Sequence, residues 1–186
     1  SKKIRVVADE CFLRFHPHYE KMSCKRFLKQ YPNLLIVNAF TKFYAMAGLR
    51  LGYLMTGDLS LLHAVAQQLP EWNVSSIAQR AGISALQDTE YEKRTRQLIE
   101  KERRYLIQEF LKMGCTVFPS EADYITFRLP QEKTGFLLKE RLLEGKILIR
   151  SCANYRNMPP DCYRIAVKQH ADNEELVRQV WRILKQ

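Results

Sequence analysis

Two short apolar runs constrain the fold of this chain more than any other feature. Ile4-Arg5-Val6-Val7-Ala8 ends in the acidic pair Asp9-Glu10, and Leu34-Leu35-Ile36-Val37 runs into Asn38. Near-continuous β-rich runs of this kind, with polar residues at their C-terminal ends, suit buried strands of a parallel sheet. Between them, Tyr19 to Gln30 is basic and weakly periodic, which predicts a helix, and Pro32-Asn33 breaks the chain. The expected unit is β-α-β, with Asp9 and Lys42 just beyond the ends of its two strands. In open α/β sheets that edge is where ligands bind.

The remaining pattern extends this α/β reading. A third strand is expected near Arg50 to Met55, with a turn at Thr56-Gly57. Asp58 is a candidate N-cap for a helix carrying Leu61, Leu62, Val65 and Leu69 on one face, ended by Pro70. A second helix is expected over Ser75 to Leu86. Thr89 to Met113 predicts a long charged helix with Tyr91, Leu98, Tyr105, Leu106 and Phe110 as its apolar positions, closed by Gly114. Its length suits a connector between two subdomains. Beyond it, strands are expected at Thr116–Phe118, Tyr124–Arg128, Ile147–Arg150 and Tyr163–Val167, with a helix over Lys133 to Leu143. The last helix opens on Asp172-Asn173-Glu174-Glu175, a capping-box-like start. Its core stripe is Leu176, Val177, Val180, Trp181 and Leu184. The expected organisation is 1–88 as part of a large domain, 89–113 as a connecting helix and 114–186 as a C-terminal small domain.

Composition excludes several classes. The 186 residues are 46% apolar and 27% charged, enough for a packed core and unlike a disordered chain. No apolar run reaches the ~18 residues a bilayer span needs, and no signal peptide opens the sequence. Five cysteines without a CxxC predict reduced thiols in a cytoplasmic protein. Cys11, His16, His18 and Cys24 are zinc-type ligands, but their spacing matches no common finger and Pro17 separates the histidines. They are read as packing and loop residues, and no metal is expected. The net charge of +10 could attract nucleic acid or anionic lipid. The basic residues are spread along the chain, however, and the densest stretch, Lys93 to Arg104, is interleaved with Glu100 and Glu102 as on a solvated helix face. No nucleic-acid or membrane partner is expected. A noncatalytic basic binding module is the alternative from a different class.

The chemistry concentrates in Asn38 to Tyr53. Lys42 follows a buried strand beside Thr41, and Arg50 stands eight residues on between Gly48 and Gly52. A lysine so placed can have its pKa lowered by desolvation or a nearby cation and form a Schiff base with an aldehyde. The glycines let the backbone approach a bulky ligand. Arg50 offers a planar fork for a phosphate. Asp9 can pair with a protonated ring nitrogen. These are the parts that pyridoxal phosphate requires. Ordinary surface cations and a loop acid pair are the competing explanation from spacing alone.

Thr41-Lys42-x5-Gly48-x-Arg50-x-Gly52 resembles the lysine signature of fold-type I pyridoxal-phosphate enzymes, and Asp9-Glu10-Cys11-Phe12 resembles their Asp-Glu-Ala-Tyr/Phe strand end. Within that superfamily the chain looks most like the L-threonine-O-3-phosphate decarboxylases of cobalamin synthesis, relatives of histidinol-phosphate aminotransferase. Gln67 to Pro70, Ala85 to Asp88, Ile147 to Tyr155 and Tyr163 to Val167 support the match, which covers essentially the whole chain. The resemblance implies an α/β fold, the C-terminal half of a fold-type I transferase: the end of the large, mostly parallel-sheet domain plus an α+β small domain. It implies pyridoxal 5'-phosphate as cofactor and a phosphorylated amino acid as substrate. It implies decarboxylation of L-threonine O-3-phosphate to (R)-1-amino-2-propanol O-2-phosphate, or amino transfer as the same-family alternative. It also implies a homodimer.

Roles follow by position. Lys42 would tether the cofactor and move protons at Cα. Asp9 would bind the pyridine nitrogen, and Arg50 and Thr41 the cofactor phosphate. Arg164 would bind the substrate carboxylate and Arg150 its phosphate. Phe12 departs from the aminotransferase pattern, in which a tyrosine hydroxyl can reach the cofactor's phenolic oxygen. Cys11 replaces the usual small residue, as a small buried hydrophobe. The family's N-terminal half, with further cofactor contacts, does not lie in this sequence, so no robust catalysis is expected of these residues alone.

Overall fold

Both apolar runs form neighbouring parallel strands. In the computed structural model, which describes residues 4–133, 135 and 137–185, β1 is Val6–Asp9 and β2 is Leu34–Ala39. They pair in parallel, with Asp9 opposite Val37. β3, Gly52–Thr56, runs antiparallel to β2 and completes the order β1-β2-β3. The chain divides into two units, one ending at Thr95 and the other beginning at Arg96.

In the first unit the crossover is shorter and more broken than its periodicity predicts. α1 covers Tyr19–Met22, and a 3₁₀ turn follows at Cys24–Phe27. The break is Ser23, whose backbone is extended. Its cause is Glu10. The buried Glu10 carboxylate accepts from the Ser23 hydroxyl at 2.8 Å and from the Cys24 N–H at 2.7 Å. A buried carboxylate needs such donors, and an extended Ser23 delivers both. Thus Asp9 and Glu10, successive in sequence, point to opposite faces: Glu10 braces the crossover and Asp9 stays exposed.

After β3, α2 (Leu59–Ala66) starts where expected, with the Asp58 side chain accepting from the Leu61 N–H at 3.1 Å. Its apolar face is not core: the helix buries no residue, and Leu62 and Leu69 are exposed. The helix lies against β3, and its final carbonyls are used in a tightened turn up to Leu69 before Pro70. α3, Ser76–Gln87, is capped by Ser75 and buries Ala78, Gly82 and Ala85. A Cβ on Gly57 would lie 2.3 Å from the Leu28 carbonyl oxygen. Because that oxygen is backbone, the turn cannot yield cheaply. Gly57→Ala should therefore cost about 1–3 kcal/mol, read as a lowered thermal midpoint.

α4, Thr89–Lys112, begins in the first unit and continues into the second, where Gly114 closes it at φ +79°. Its buried stripe is Ile99, Leu106 and Phe110. Leu98, expected inside, is exposed. The charged stretch is not wholly a solvated face, because Glu102 and Arg103 are buried. Arg103 donates to the Ala122 carbonyl.

The second unit is an antiparallel sheet of order β4-β5-β7-β6 with α5 and α6. β4 (Thr116–Phe118) and β5 (Tyr124–Arg128) match expectation residue for residue. β5 alternates strictly, burying Ile125 and Phe127, and Phe127 packs 4.3 Å from Phe110 between ring centroids. α5 is Leu138–Glu144, shorter at its start than predicted; residues 134 and 136 of the predicted helix lie outside the described residues. β6 is only Arg150–Ser151, and β7 is Cys162–Ala166. Pairing starts late because the Ile147 N–H is still bound to the Leu142 carbonyl at the end of α5.

α6, His170–Leu184, begins two residues before the predicted cap and has no side-chain N-cap. Asn173, in the first turn, instead ties the segment before the helix to α4. Its Oδ1 accepts from the Lys168 N–H and its Nδ2 donates to the Lys168 carbonyl and to Glu102. Glu102 is 1% exposed. Burial alone would raise its pKa, but hydrogen bonds from Asn173 and His170 outweigh it and hold the carboxyl below its ordinary value. A carboxyl with a depressed folded pKa contributes stability that is present above its unfolded value and lost as pH falls through the folded one. Glu102→Gln should thus flatten the stability of this unit against pH below about 5, measured by denaturant titration.

Candidate active site

The first unit brings its expected residues to one end of the sheet. Asp9 is the last residue of β1, not one beyond it, and its Oδ1 accepts from the Cys11 N–H at 2.9 Å. Hydrogen bonds from Cys11 hold Asp9 below the ordinary carboxylate range, against a smaller effect of burial. Asp9 is therefore an anion at neutral pH. Burial and Asp9 together push the Cys11 thiol up to about 11, while the positive charge of Lys42 acts the other way. Cys11 thus lies within electrostatic reach of both expected cofactor contacts and is itself no nucleophile.

Lys42 sits in a tight turn after β2. The Ala45 N–H donates to the Lys42 carbonyl at 3.0 Å and the Met46 N–H to the Phe40 carbonyl at 3.2 Å. The chain then returns to β3, with the Phe40 N–H donating to the Leu51 carbonyl at 3.0 Å. Lys42 is exposed, so the desolvation inferred from its buried strand is not furnished by packing within the chain. Its Nζ lies 5.6 Å from the Phe12 ring centroid, an ammonium over an aromatic face. Thr41, next to it, is half-buried.

Arg50 ends a 3₁₀ turn, Ala47–Leu49, in the left-handed region at φ 54°. Ala45 has the same φ. A non-glycine residue pays roughly 1–2 kcal/mol to stand there, and such strain gathers at ligand-binding loops. The arginine, not a glycine, takes the special conformation. A Cβ on Gly48 would meet nothing within 4 Å, so the backbone there is open to an approaching group. Gly52 has another reason: a Cβ would lie 3.0 Å from the Asn38 carbonyl oxygen, so its smallness serves the β2–β3 ladder rather than a ligand. Arg50 is exposed, with one long contact of 3.5 Å to the Ala47 carbonyl.

In the second unit Arg150 and Arg164 are direct register partners on β6 and β7. Residues directly opposite in an antiparallel pair share a face. Arg164 lies over the Tyr124 ring at 4.8 Å. Arg150 lies over the Tyr155 ring at 5.7 Å and donates to Asn154 Oδ1 at 3.2 Å. The ion pairs among the described residues give neither arginine a carboxylate. Two opposed like charges repel, and an anion between them would relieve that repulsion. Of the cysteine-histidine pattern, His16 Nδ1 accepts from the His18 N–H, and among the described residues no group of three or more His, Cys, Asp or Glu is placed to hold a metal ion.

Sequence reasoning missed a second tier of this site: Arg14, Tyr44 and Glu92. Glu92 accepts from the Tyr44 hydroxyl at 2.6 Å and pairs with Arg14 at 2.6 Å. The aromatic run Phe43-Tyr44 was a signal, but nothing in one sequence says which distant acid meets it.

An ionised aspartate ends a parallel strand here, with an exposed lysine and an exposed arginine on the loops beside it, at the strand edge where ligands bind in open α/β sheets. The sequence model of aminotransferase class I and II matches residues 1–180, and the chain belongs to that family, whose members depend on pyridoxal phosphate. It is 35% identical over 185 residues to threonine-phosphate decarboxylase of Salmonella typhimurium, covering 99% of this chain and 50% of that protein. The crystal structure of histidinol-phosphate aminotransferase from Clostridium acetobutylicum superimposes with a TM-score of 0.91 at 31% identity, covering 99% of this chain and 55% of the other. Histidinol-phosphate aminotransferase from Sinorhizobium meliloti, solved in complex with pyridoxal-5'-phosphate, shares the fold at a TM-score of 0.85 and 22% identity, covering 97% of this chain and 49% of its own. The chain therefore spans about half the length of the relatives it matches. Among its described residues no helix is long and apolar enough to cross a membrane.

Proposed function

We propose that the full-length protein decarboxylates L-threonine O-3-phosphate to (R)-1-amino-2-propanol O-2-phosphate, with pyridoxal 5'-phosphate bound to the first unit. The donor set suits that cofactor: Asp9 is an ionised acid for a protonated ring nitrogen, Lys42 an exposed amine for an aldehyde, and Arg50 an exposed guanidinium for a phosphate. The observation that carries the choice of substrate is the Arg150–Arg164 pair. Two opposed guanidinium groups without carboxylate partners among the described residues suit a substrate with two anionic groups, and threonine phosphate has a carboxylate and a phosphate.

When bound, pyridoxal phosphate supplies an electron sink conjugated to the substrate's Cα. The residues do the rest. Asp9 would keep a proton on the ring nitrogen, and Arg50 and Thr41 would hold the cofactor phosphate. Lys42 would tether the cofactor, and its amine would hold and deliver the proton that replaces the carboxylate at Cα. Arg164 grips the carboxylate, which by itself stabilises the ground state and opposes loss of the group. The grip of Arg150 on the substrate phosphate offsets this. It would supply remote binding energy toward loss of the carboxylate.

Amino transfer is the second reading, favoured by the likeness to the Clostridium acetobutylicum aminotransferase. It would expose the Cα–H bond to Lys42 with the same residues. Phe12, which has no hydroxyl for the phenolic oxygen, argues for the decarboxylase. Product analysis of the full-length protein decides. Carbon dioxide released without an oxo-acid partner supports decarboxylation. Stoichiometric transfer of the amino group to an oxo acid rejects it. The same reading makes the full-length protein a cytoplasmic homodimer, to be checked by sedimentation and cell fractionation.

A further inference from the structure

We propose that Glu92 is a positioning residue for the reaction: its buried carboxylate locks the Lys42 turn to the loop after β1, and so sets where the Lys42 nitrogen stands relative to Asp9 and Phe12. The proposal rests on Lys42 being the cofactor's tether. Glu92 lies in the first turn of α4 and is 9% exposed. Its Oε1 accepts from the Tyr44 hydroxyl at 2.6 Å, two residues past Lys42. The same oxygen accepts from Arg14 Nε at 3.1 Å and Nη2 at 2.6 Å, two residues past Phe12. One carboxylate thus joins both arms of the site.

The neighbouring residue of α4 reinforces the grip. The Tyr91 hydroxyl donates to the Phe43 carbonyl at 3.0 Å, on the residue directly after Lys42. The turn is held through its backbone at Phe43 and through a side chain at Tyr44. Tyr91 stacks on Tyr44, and Phe15 meets Phe43 edge to face at 5.1 Å. The Arg14 guanidinium stands 5.2 Å from the Tyr44 ring centroid. Burial and the Glu92 carboxylate raise the pKa of the Tyr44 hydroxyl, so it stays a donor.

A cage of rings could fill this space without an acid, and a buried ion pair is a weak source of stability compared with well-packed apolar groups. What the carboxylate adds is direction. Rings slide over one another at little cost, whereas a short hydrogen bond to a fixed oxygen permits one arrangement. A lysine side chain is flexible, so the aim of its nitrogen depends on the backbone that carries it. Here that backbone is pinned one and two residues downstream.

The test uses the full-length holoenzyme with Glu92→Gln, Glu92→Leu and Tyr44→Phe. Tyr44→Phe deletes one hydroxyl and keeps the ring, so it folds even if Glu92→Leu does not. Three quantities are read: the thermal midpoint of the cofactor-free protein, kcat against KM, and the pH midpoint of the bound cofactor's visible absorption, which reports the nitrogen of Lys42. Tyr44→Phe and Glu92→Leu should lower kcat about tenfold or more with KM nearly unchanged, as expected of misplacement rather than lost binding. Both should also shift the absorption midpoint. Glu92→Gln, whose amide oxygen still accepts from Tyr44 and Arg14, should recover most of kcat. The proposal is overturned if Tyr44→Phe leaves kcat and the absorption midpoint at wild-type values. It is equally overturned if losses merely track the thermal midpoint, the mark of a structural role. If borohydride fixes the cofactor to wild-type protein elsewhere than Lys42, the tether assignment fails instead, so the two failures are distinguishable.

Discussion

Lys42→Ala in the full-length protein should abolish borohydride fixation of pyridoxal 5'-phosphate to the peptide containing residue 42, and turnover should fall by about 10³-fold or more. The size follows from what one amine does. In the proposed reaction it tethers the cofactor and is the acid at Cα; proton transfer by a positioned side chain is by itself worth about 10²–10⁴-fold. The substitution should not disturb the fold. Lys42 is exposed, and its turn is held by backbone bonds from Ala45 and Met46 and by the Phe43 and Tyr44 contacts. A thermal midpoint close to wild type is therefore the control, since exposed substitutions usually stay within about 0.5 kcal/mol. Peptide mapping that finds the label on another lysine, or undiminished labelling of the variant, would remove the basis of the whole functional proposal.

Arg150→Gln should raise KM for a phosphorylated amino-acid substrate by about 10–100-fold, the worth of one hydrogen-bonded charge contact. KM for the same amino acid without its phosphate should be nearly unchanged. Arg164→Gln should weaken both substrates alike, because both carry the carboxylate. Stability provides the discriminating control. If these arginines were structural ion pairs, removing either would destabilise the second unit. They instead face each other as like charges, each resting on an aromatic ring, so removing one relieves repulsion. The denaturation midpoint should stay level or rise. A fall in stability together with equal effects on both substrates would show that the pair holds the sheet and not the ligand.

What the sequence made legible is what nearest neighbours decide. Strict alternation in Tyr124–Arg128 and the cap residues Asp58 and Ser75 located their elements closely, because side-chain direction and capping are local matters. The Thr41-Lys42 and Gly48-x-Arg50-x-Gly52 spacing put Lys42 and Arg50 on the loop between two strands, and the structure has both residues there. Misjudgements came wherever a distant group intervened. The crossover helix broke at Ser23 because a carboxylate thirteen residues away needed its hydroxyl. The last helix began early because Asn173 turned inward to Glu102, seventy-one residues back in the chain. Leu98 and Ile99 exchanged places because α4 was phased by the packing of Leu106 and Phe110.

By itself, then, the sequence determined which residue types could do chemistry and near which strand ends they lie, since periodicity and residue type depend on no other part of the chain. Tertiary structure alone decided how Asp9 and Glu10 divide their work, that Arg50 rather than a glycine takes the left-handed turn, and that Glu92 closes on Tyr44 and Arg14. The first and last of these depend on a buried polar group finding its partner across many residues, and the cost of leaving such a group unpaired is what selects the arrangement.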